Sequence, residues 1–537
     1  MATGILQIQP TGGVETWDSS DSGTLNSDTV LPNNTKISED WTVATLFYKS
    51  RLKSSKICLL NLYGNTLNAT SLNVSHAAGS NSCILCITNG TAIVSDSLKT
   101  DVSTSSQGYR FLDGANVTVN GVSFAGAREN TSSQFIQVWK GATLNFSGAG
   151  FLLSNGSSAH PNTSFVIDGG TVNARKNAGL ISSNTNGKNP KFIVKNGGKF
   201  NGNANNVFTI LSASKPEVSI TDGATVDFGK GMNFEYAGSG SMAVTNSTVV
   251  SGSSGIGTVT SRNRFVFSGS VVTGKVSLAS AYNTLFITNG THVGALSLSG
   301  KTNTAEVVNC ASRGGISFGA NCDANTVILS GGSRTASGDN AISFGANATN
   351  ATLVIDNMTF TLAGQFNADK SSDGGAWTGR PGSAIEFRGA APSLCVTGSE
   401  TTDADWISGT MTDVDLDDPV KIRYVLPETP YASAPLYHDN ADLSTSHHLQ
   451  LGYNTVFEFD LTNLERQPSR QLIPIVHSES TGGHSIGEWL DLEGLSKRMS
   501  VTGAQPTDFP KLSLSEDGRT LYLAVRGTAS GTIIFVR

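Results

Sequence analysis

The sequence has few charged residues and no long hydrophobic run. Only 15% of its 537 residues are Asp, Glu, Lys or Arg, and their formal net charge is −6. A weakly acidic chain without a basic run lacks the electrostatic footprint of a nucleic-acid-binding protein. No apolar stretch approaches the ~18 residues that a membrane-spanning helix requires. We therefore expect no nucleic-acid partner and no membrane span.

Strong helix formers and aromatic residues are also scarce. Aromatic residues make up 7% of the chain, whereas Ser, Thr, Asn, Gly and Val are abundant. This composition favours β-structure with many tight turns. The 59 glycines follow no Gly-X-Y period, which excludes collagen.

A short phrase recurs along the middle of the chain. Two apolar residues at alternate positions are followed by Asn, Asp or Gly, a small residue and another apolar residue. Examples are ILCITNGTAIV at 84–94, VSITDGATVDF at 218–228 and LFITNGTHV at 285–293. Alternating apolar residues indicate a strand with one buried face.

Aligning the copies produces a column of residues that tolerate a left-handed backbone. Lys140 and Cys310 are its exceptions, and Glu306 is the one exception in a neighbouring apolar column. The left-handed column reads Gly64, Asn89, Asp113, Lys140, Gly169, Asn196, Asp222, Asn246, Gly269, Asn289, Cys310, Gly331 and Asn357. We interpret it as a corner that recurs once per repeat.

The spacing of the phrases distinguishes two architectures. Hairpins would place strands ~8–12 residues apart, whereas most copies here are 20–29 residues apart and keep the same register. A coil that returns to the same place once per repeat explains both facts, since its strands would pair in parallel with those of the next coil. We predict an all-β parallel β-helix of about 13–14 coils.

The flanks of this region lack the phrase, so three domains are predicted. Residues 1–55 would be an N-terminal cap that covers the open core, and residues 56–400 would be the parallel β-helix. Residues 401–537 would be a C-terminal antiparallel, β-sandwich-like domain, with a hairpin turn at Asp517-Gly518. A polar excursion is predicted at 365–382.

The tandem phrase, with its Ser/Thr/Asn-rich returns, resembles the passenger regions of autotransporter-like bacterial surface proteins. More broadly, it resembles the right-handed, pectin-lyase-like β-helix class. The resemblance covers roughly residues 56–400 and implies a right-handed solenoid at an extracellular or cell-surface location. It says little about function, because the class includes adhesins, polysaccharide lyases, glycoside hydrolases and phage tailspikes.

Polysaccharide lyases of this fold use carboxylates to hold Ca²⁺, which makes acidic residues in the repeats candidates for a metal or catalytic site. The acidic residues at or beside the predicted turns are Asp113, Asp168, Asp222, Asp227 and Asp356. Bonding of a turn Asp to its local backbone is the preferred interpretation. A buried Glu306 would be costly unless paired, with Asp323 and Arg313 as neighbours. A register slip that turns Glu306 outward is preferred.

Two clusters near the C-terminus offer metal ligands. The densest acidic stretch contains Asp403, Asp405, Asp413, Asp415, Asp417 and Asp418, of which the last four are the weak candidates for Ca²⁺. No EF-hand pattern accompanies them, so a solvated junction is favoured. The second cluster would be a Zn²⁺ site, but its spacing fits no known signature. It contains His438, His447, His448, His477 and His484, with Asp439, Asp442 and Glu488.

The cysteines follow no zinc or redox plan. They are Cys58, Cys83, Cys86, Cys310, Cys322 and Cys395. Buried free thiols are the simplest interpretation, and Cys58–Cys83 and Cys310–Cys322 are candidate disulfide pairs.

Two functions follow from these observations. The first is a non-enzymatic structural or adhesive surface protein that binds cell-surface glycans or other surface proteins and assembles end to end into filaments. It needs no cofactor and no catalytic residue. The alternative is a carbohydrate-active enzyme or a tailspike-like glycan binder, for which Trp139 and Trp377 are the only Trp residues within the repeats.

Overall fold

The computed structural model describes most of the chain as strands. The described residues are 5–8, 15–18, 29–31, 35–37, 39–50, 56–76, 83–100, 107–124, 133–154, 162–174, 180–182, 190–211, 215–235, 239–337, 341–345, 347–363, 366–367, 382–397, 421–439, 449–450, 456–479 and 492–526. They form two compact units, Met1–Ser277 (unit 1) and Leu278–Arg537 (unit 2). No helix within these ranges has the length and hydropathy of a membrane-spanning segment.

Unit 1 is a parallel β-helix in which the coils contribute to three sheets. Sheet 1 stacks the strands Lys56–Asn61, Cys83–Thr88, Gln107–Phe111, Ser133–Trp139, Asn162–Asp168, Lys191–Lys195, Glu217–Ile220, Ser241–Thr245 and Arg264–Ser268. Sheet 2 follows a corner and stacks Trp41–Ser50, Thr66–His76, Gly90–Thr100, Ala115–Phe124, Thr143–Ser154, Thr171–Ala174, Lys199–Asn201, Thr225–Asp227, Thr248–Val250 and Val271–Thr273. The parallel pairing predicted from the repeat spacing is confirmed.

Sheet 3 of unit 1 begins in the second halves of the long strands, which bend at bulges such as the one between Val119 and Gly121. It continues through Leu180–Ser182, Val207–Leu211, Gly231–Glu235 and Gly255–Thr258. The next strand, Val276–Leu278, contains the boundary between the units. The bulges mark the second corner, because they change the direction of the strand without ending it.

The corner between sheets 1 and 2 has the predicted left-handed backbone. Asn89, Asn246 and Asn289 have φ values of 52°, 48° and 52°. Where the column has Asp113 or Lys140, the glycine that follows takes the positive φ instead. The corner thus keeps its geometry while the left-handed residue moves by one position.

The exceptions at Glu306 and Cys310 have a single cause. The alignment of the repeats in the sequence placed this coil one residue too late. In the strand Thr304–Arg313, Ala305 and Val307 are buried, and Glu306 lies between them on the outer side. The left-handed residue of this coil is Asn309, with φ 52°. The preferred interpretation, an outward Glu306, is confirmed.

The interior of unit 1 is a continuous stack of apolar side chains. Phe192 lies with its ring centroid 5.2 Å from that of Phe200 and 5.1 Å from that of Phe208. All three rings are at most 1% exposed. Aromatic pairs at these distances add to the stabilisation that burial alone supplies.

A buried asparagine recurs at the corner between sheet 3 and sheet 1. The Oδ1 atoms of Asn303 and Asn325 accept the backbone N–H of the asparagine one coil earlier, Asn283 and Asn303 respectively, at 2.8 Å. In unit 1, Asn263 Oδ1 accepts the N–H of Gly240 in the same way. These amides satisfy backbone donors that the turn leaves outside the sheet ladder.

Unit 2 is also built from coils of three sheets. Its sheet 1 stacks Thr284–Thr288, Thr304–Arg313, Thr326–Ser337, Thr352–Asp356, Ala384–Arg388, Lys421–Val425, Val456–Asp460 and Ser500–Thr502. Its sheet 2 contains Thr291–Val293, the second halves of the strands Thr304–Arg313 and Thr326–Ser337, Thr359–Ala363, Ser393–Thr397, Leu436–Asp439 and Gln471–Ser478. Its sheet 3 contains Leu296–Leu298, Ile316–Phe318 and Ile342–Phe344.

The prediction of an antiparallel C-terminal region at 401–537 is confirmed in part. Lys421–Val425 pairs in parallel with Ala384–Arg388, and parallel stacking continues to Ser500–Thr502. Among the described residues of this region, Thr520–Val525 pairs antiparallel with Gln471–Ser478 and with Lys511–Leu514. The described strands of the coil thus stay in register through the change in composition.

The remaining elements lie at the flanks of the coils. In the predicted N-terminal cap, Ile5–Ile8 pairs antiparallel with Glu15–Asp18 and Thr35–Ile37, while Thr29–Leu31 pairs in parallel with Trp41–Ser50. The role of residues 1–55 as a cap stays a prediction. Most of the predicted excursion at 365–382 lies outside the described residues, but Phe366–Asn367 pairs with Leu449–Gln450. A short helix spans Leu492–Arg498.

A buried ion pair fixes the loop before the antiparallel strands. Arg466 Nη2 lies 2.8 Å from Asp508 Oδ2, and the two side chains are 8% and 1% exposed. Arg466 also donates to the carbonyl oxygens of Leu461, Leu464 and Gly503. A buried pair that is also hydrogen-bonded throughout avoids the penalty of an uncompensated charge.

We predict that Asn303→Ala lowers the free energy of unfolding by about 1–3 kcal/mol, because it leaves the buried N–H of Asn283 without its acceptor. Denaturant unfolding followed by circular dichroism measures this change. Asn201→Ala, which removes an exposed amide, is the control and should cost less than about 0.5 kcal/mol. Equal losses in the two variants would contradict a structural role for the buried asparagines.

Candidate functional site

The outer face of unit 1 brings an exposed aromatic side chain beside polar groups. We call this surface the Trp139 corner, and it consists of Arg110, Gln137, Trp139, Asp168 and Lys195. Trp139 ends a strand of sheet 1 and is 44% exposed, because it follows the inward Val138 and so lies on the outer side of the strand. It pairs with Asp168 of the next coil, which pairs with Lys195 of the coil after that.

Arg110 organises the aromatic part of the Trp139 corner. Its guanidinium carbon lies 5.8 Å from the ring centroids of both Phe135 and Trp139, within the range of a cation–π contact. Its Nε donates to Gln137 Oε1 at 2.7 Å. These contacts hold Arg110 against the Trp139 ring and leave donors on its terminal nitrogens.

The polar part of the Trp139 corner is held by hydrogen bonds between coils. Lys195 Nζ lies 3.1 Å from Asp168 Oδ2, and Asn196 Nδ2 donates to Asp168 Oδ1 at 2.6 Å. Asp168 is therefore committed to its neighbours, and this exposed ion pair adds little to stability. The Trp139 corner is thus a surface on which an exposed aromatic ring lies next to side chains that hydrogen bonds hold in position.

Beyond the corner, a row of asparagines crosses the outer face of sheet 2. Asn145 Nδ2 donates to Asn116 Oδ1 at 3.0 Å, Asn173 to Asn145 at 2.8 Å and Asn201 to Asn173 at 2.7 Å. We call these four residues the amide row. Each link uses only one N–H and one oxygen lone pair, so the amides keep further donors and acceptors for a ligand.

A parallel row of hydroxyl groups lies beside the amide row. Thr143 pairs with Thr171, and Thr225 pairs with Thr248, with Lys199 between the two pairs. Neighbouring strands in a sheet are ~4.8 Å apart, so both rows present polar groups at that repeat. The coil of Trp139 also contains Thr143 and Asn145. An exposed aromatic ring together with amide and hydroxyl groups is suited to stacking and hydrogen bonding with a polar ligand that has an apolar face.

The acidic residues predicted at turns lie apart from one another. Asp227 Oδ1 accepts the N–H of Gly229 at 2.7 Å, which is the local backbone bond expected of a turn Asp. Asp356 instead contacts Arg388 at 3.4 Å, and Asp222 has a left-handed backbone. In the part of the chain that the structure describes, no three His, Cys, Asp or Glu side chains come together as a metal site. The Ca²⁺ candidates Asp413, Asp415, Asp417 and Asp418 lie outside that part.

A row of paired charges on sheet 1 of unit 2 was not anticipated from the sequence. Arg423 contacts Glu386 at 3.1 Å and Glu458 at 2.8 Å, and Lys421 contacts Glu458 at 2.6 Å. Burial disfavours ionisation of Glu458, but hydrogen bonds from Lys421 and Arg423 outweigh it and lower the pKa of its carboxyl. A carboxyl held ionised in this way suits charge pairing better than proton donation. The signal in the sequence is charge alternation between copies of a strand, visible only once the register is known.

The two described histidines of the predicted zinc cluster lie in separate environments. His438 is buried, with Nδ1 2.8 Å from Ser478 Oγ. His477 stacks on Tyr437 with ring centroids 5.5 Å apart, and both contact Glu479 Oε1. Burial and the bond to Glu479 raise the pKa of Tyr437 to about 12. The other predicted zinc ligands, His447, His448, His484, Asp442 and Glu488, lie outside the described residues.

The described cysteines are free. Cys86, Cys310 and Cys322 are buried thiols, and Cys395 is half-buried. The Cys310–Cys322 disulfide is therefore wrong: Cys310 lies at the first corner of its coil, whereas Cys322 follows the strand Ile316–Phe318 of sheet 3. The side chains of Cys58 and Cys83 lie outside the described residues, so that pairing stays a prediction.

Comparison of the chain with protein-family models, curated proteins and solved structures found no match.

We predict that the buried thiols resist alkylation in the native protein. Burial raises the pKa of Cys86 and Cys322 to about 11, so few of these thiols are ionised at pH 8. Mass spectrometry after iodoacetamide treatment should show label on Cys395 before Cys86, Cys310 or Cys322, and on all four in denaturant. Linked Cys310–Cys322 peptides in the unreduced digest would contradict free thiols.

Proposed function

We propose that the protein is a non-enzymatic, extracellular or cell-surface β-helix that binds glycans along the Trp139 corner and the amide row. The observation that carries the proposal is the exposed ring of Trp139, which is held by Arg110 and lies on the same coil that contributes Asn145 to the amide row. Sugars combine an apolar ring face with several hydroxyl groups, and this surface offers a partner to both.

The regular stacking also supports a scaffold role. Parallel strands in register repeat over both units, and the outer rows present the same type of group coil after coil. An adhesive surface protein benefits from such repetition, because several weak contacts to a polymer add up to firm attachment. An autotransporter-passenger-like or pectin-lyase-like surface protein, and assembly into filaments, remain part of this proposal.

The alternative is a carbohydrate-active enzyme or a tailspike-like glycan binder. The charge row of unit 2 favours it to a limited degree, since Glu386 and Glu458 share Arg423 on one outer face. Hydrolysis of glycosides needs one carboxyl that donates a proton, typically with a raised pKa. The lowered pKa of Glu458 does not match that role.

Binding of the purified protein to a panel of neutral and uronic-acid polymers tests the proposal. We predict that Trp139→Ala weakens binding about 3- to 10-fold through loss of the ring contact. Asn173→Ala, which interrupts the amide row, should weaken binding less. Biolayer interferometry with immobilised polymer measures both changes.

Tyr282→Ala is the matched control, because Tyr282 is an aromatic residue of similar exposure, at 56%, far along the chain from the Trp139 corner. Its binding should equal that of the wild type. If Trp139→Ala also binds like the wild type, the Trp139 corner is not the glycan site. Release of reducing ends or unsaturated products from any polymer would favour the enzymatic alternative.

A further inference from the structure

Three polar residues interrupt an otherwise apolar column inside unit 2. The inward column of sheet 2 runs through His292, Ser312, Arg334, Phe360 and Leu394, each paired with the next. His292 and Arg334 are 0% exposed and Ser312 is 5% exposed. Three successive coils thus place an imidazole, a hydroxyl and a guanidinium in the core, where burial of a charge is costly.

The Arg334 side chain runs back across the coil below it. Its Nε donates to the carbonyl oxygen of Gly314 at 2.9 Å, and its Nη2 donates to those of Gly294 and Gly315 at 3.1 and 3.2 Å. Gly294 belongs to the coil of His292, two coils before Arg334. The small side chain of Ser312, which lies in the coil between them, leaves room for this path.

These contacts leave part of the guanidinium without a partner. Nη1 is buried and has no hydrogen-bond partner, although it carries two N–H groups. No acidic side chain among the described residues pairs with Arg334. Burial lowers its pKa to about 10, so the group still carries its charge at neutral pH. Three carbonyl dipoles compensate that charge only in part.

The chemistry of the column points to a small anion as the missing partner. A water molecule would satisfy the N–H groups of Nη1 but would leave the positive charge uncompensated. An anion would accept hydrogen bonds from these N–H groups and also compensate the charge. Such charge-assisted hydrogen bonds are stronger than neutral ones. We propose that Arg334 Nη1, in the column of His292 and Ser312, binds a single small monovalent anion of the halide class inside unit 2.

Thermal unfolding in different sodium salts at equal ionic strength tests this site. We predict that the midpoint rises with chloride or bromide concentration relative to gluconate, which is too large for the interior. Binding to the folded state alone makes the rise logarithmic above the dissociation constant. Arg334→Met, which removes the charge but keeps a long side chain, should abolish the difference between halide and gluconate.

Arg313→Met is the matched control, since Arg313 is exposed on the preceding coil and should leave the halide effect unchanged. A wild-type protein that does not distinguish halide from gluconate would overturn the proposal. Retention of the halide effect in Arg334→Met would overturn it as well.

Crystals of the wild-type protein grown in bromide locate the anion without any substitution. They therefore test the proposed site even if Arg334→Met does not fold. An anomalous peak within hydrogen-bond distance of Arg334 Nη1 is the expected result. A water molecule at that position, or bromide bound only at the surface, would show that the buried charge has no anionic partner.

Discussion

The parallel ladder of backbone hydrogen bonds between successive coils is the constraint on which the rest of each unit depends. A coil can stack only if its strands start and stop at the same places as those of its neighbours. The corner between sheets 1 and 2 meets this demand with a left-handed residue such as Asn89 or Asn246. Core packing therefore depends on corner geometry in this fold. A corner displaced by one residue would turn the inward side chains of the next strand outward.

The same constraint explains which parts of the structure the sequence predicts. Sheet 1 is predictable because most of its strands are followed by an Asn, Asp or Gly that marks the phase of the repeat. In the first coils of unit 1, the corner between sheets 2 and 3 has no such marker, because it is made by bulges such as the one after Val119. The error at Glu306 and Cys310 shows that the phase of the repeat must be assigned to the exact residue. When it was shifted by one residue, the outward carboxylate of Glu306 fell in the inward column.

Composition was a poor guide to strand pairing near the C-terminus for a related reason. It changes after residue 400, yet Lys421–Val425 and Val456–Asp460 stack in parallel. Backbone pairing does not depend on loop composition, so a change in Pro, His or Glu content says little about where a solenoid ends. The Trp139 corner was equally hidden, because its members lie on four different coils and become neighbours only through the register.

Side chains at inward and outward positions are subject to different constraints. An inward position must fill the space between three sheets, so a buried charge such as Arg334 requires compensation from carbonyl oxygens on other coils. An outward position has no such packing duty, so its side chain can pair with its counterpart on the next coil. The amide row of Asn116, Asn145, Asn173 and Asn201 pairs in this way. Its hydrogen bonds join successive coils and so support the stacking, while each amide keeps donors and acceptors on the surface.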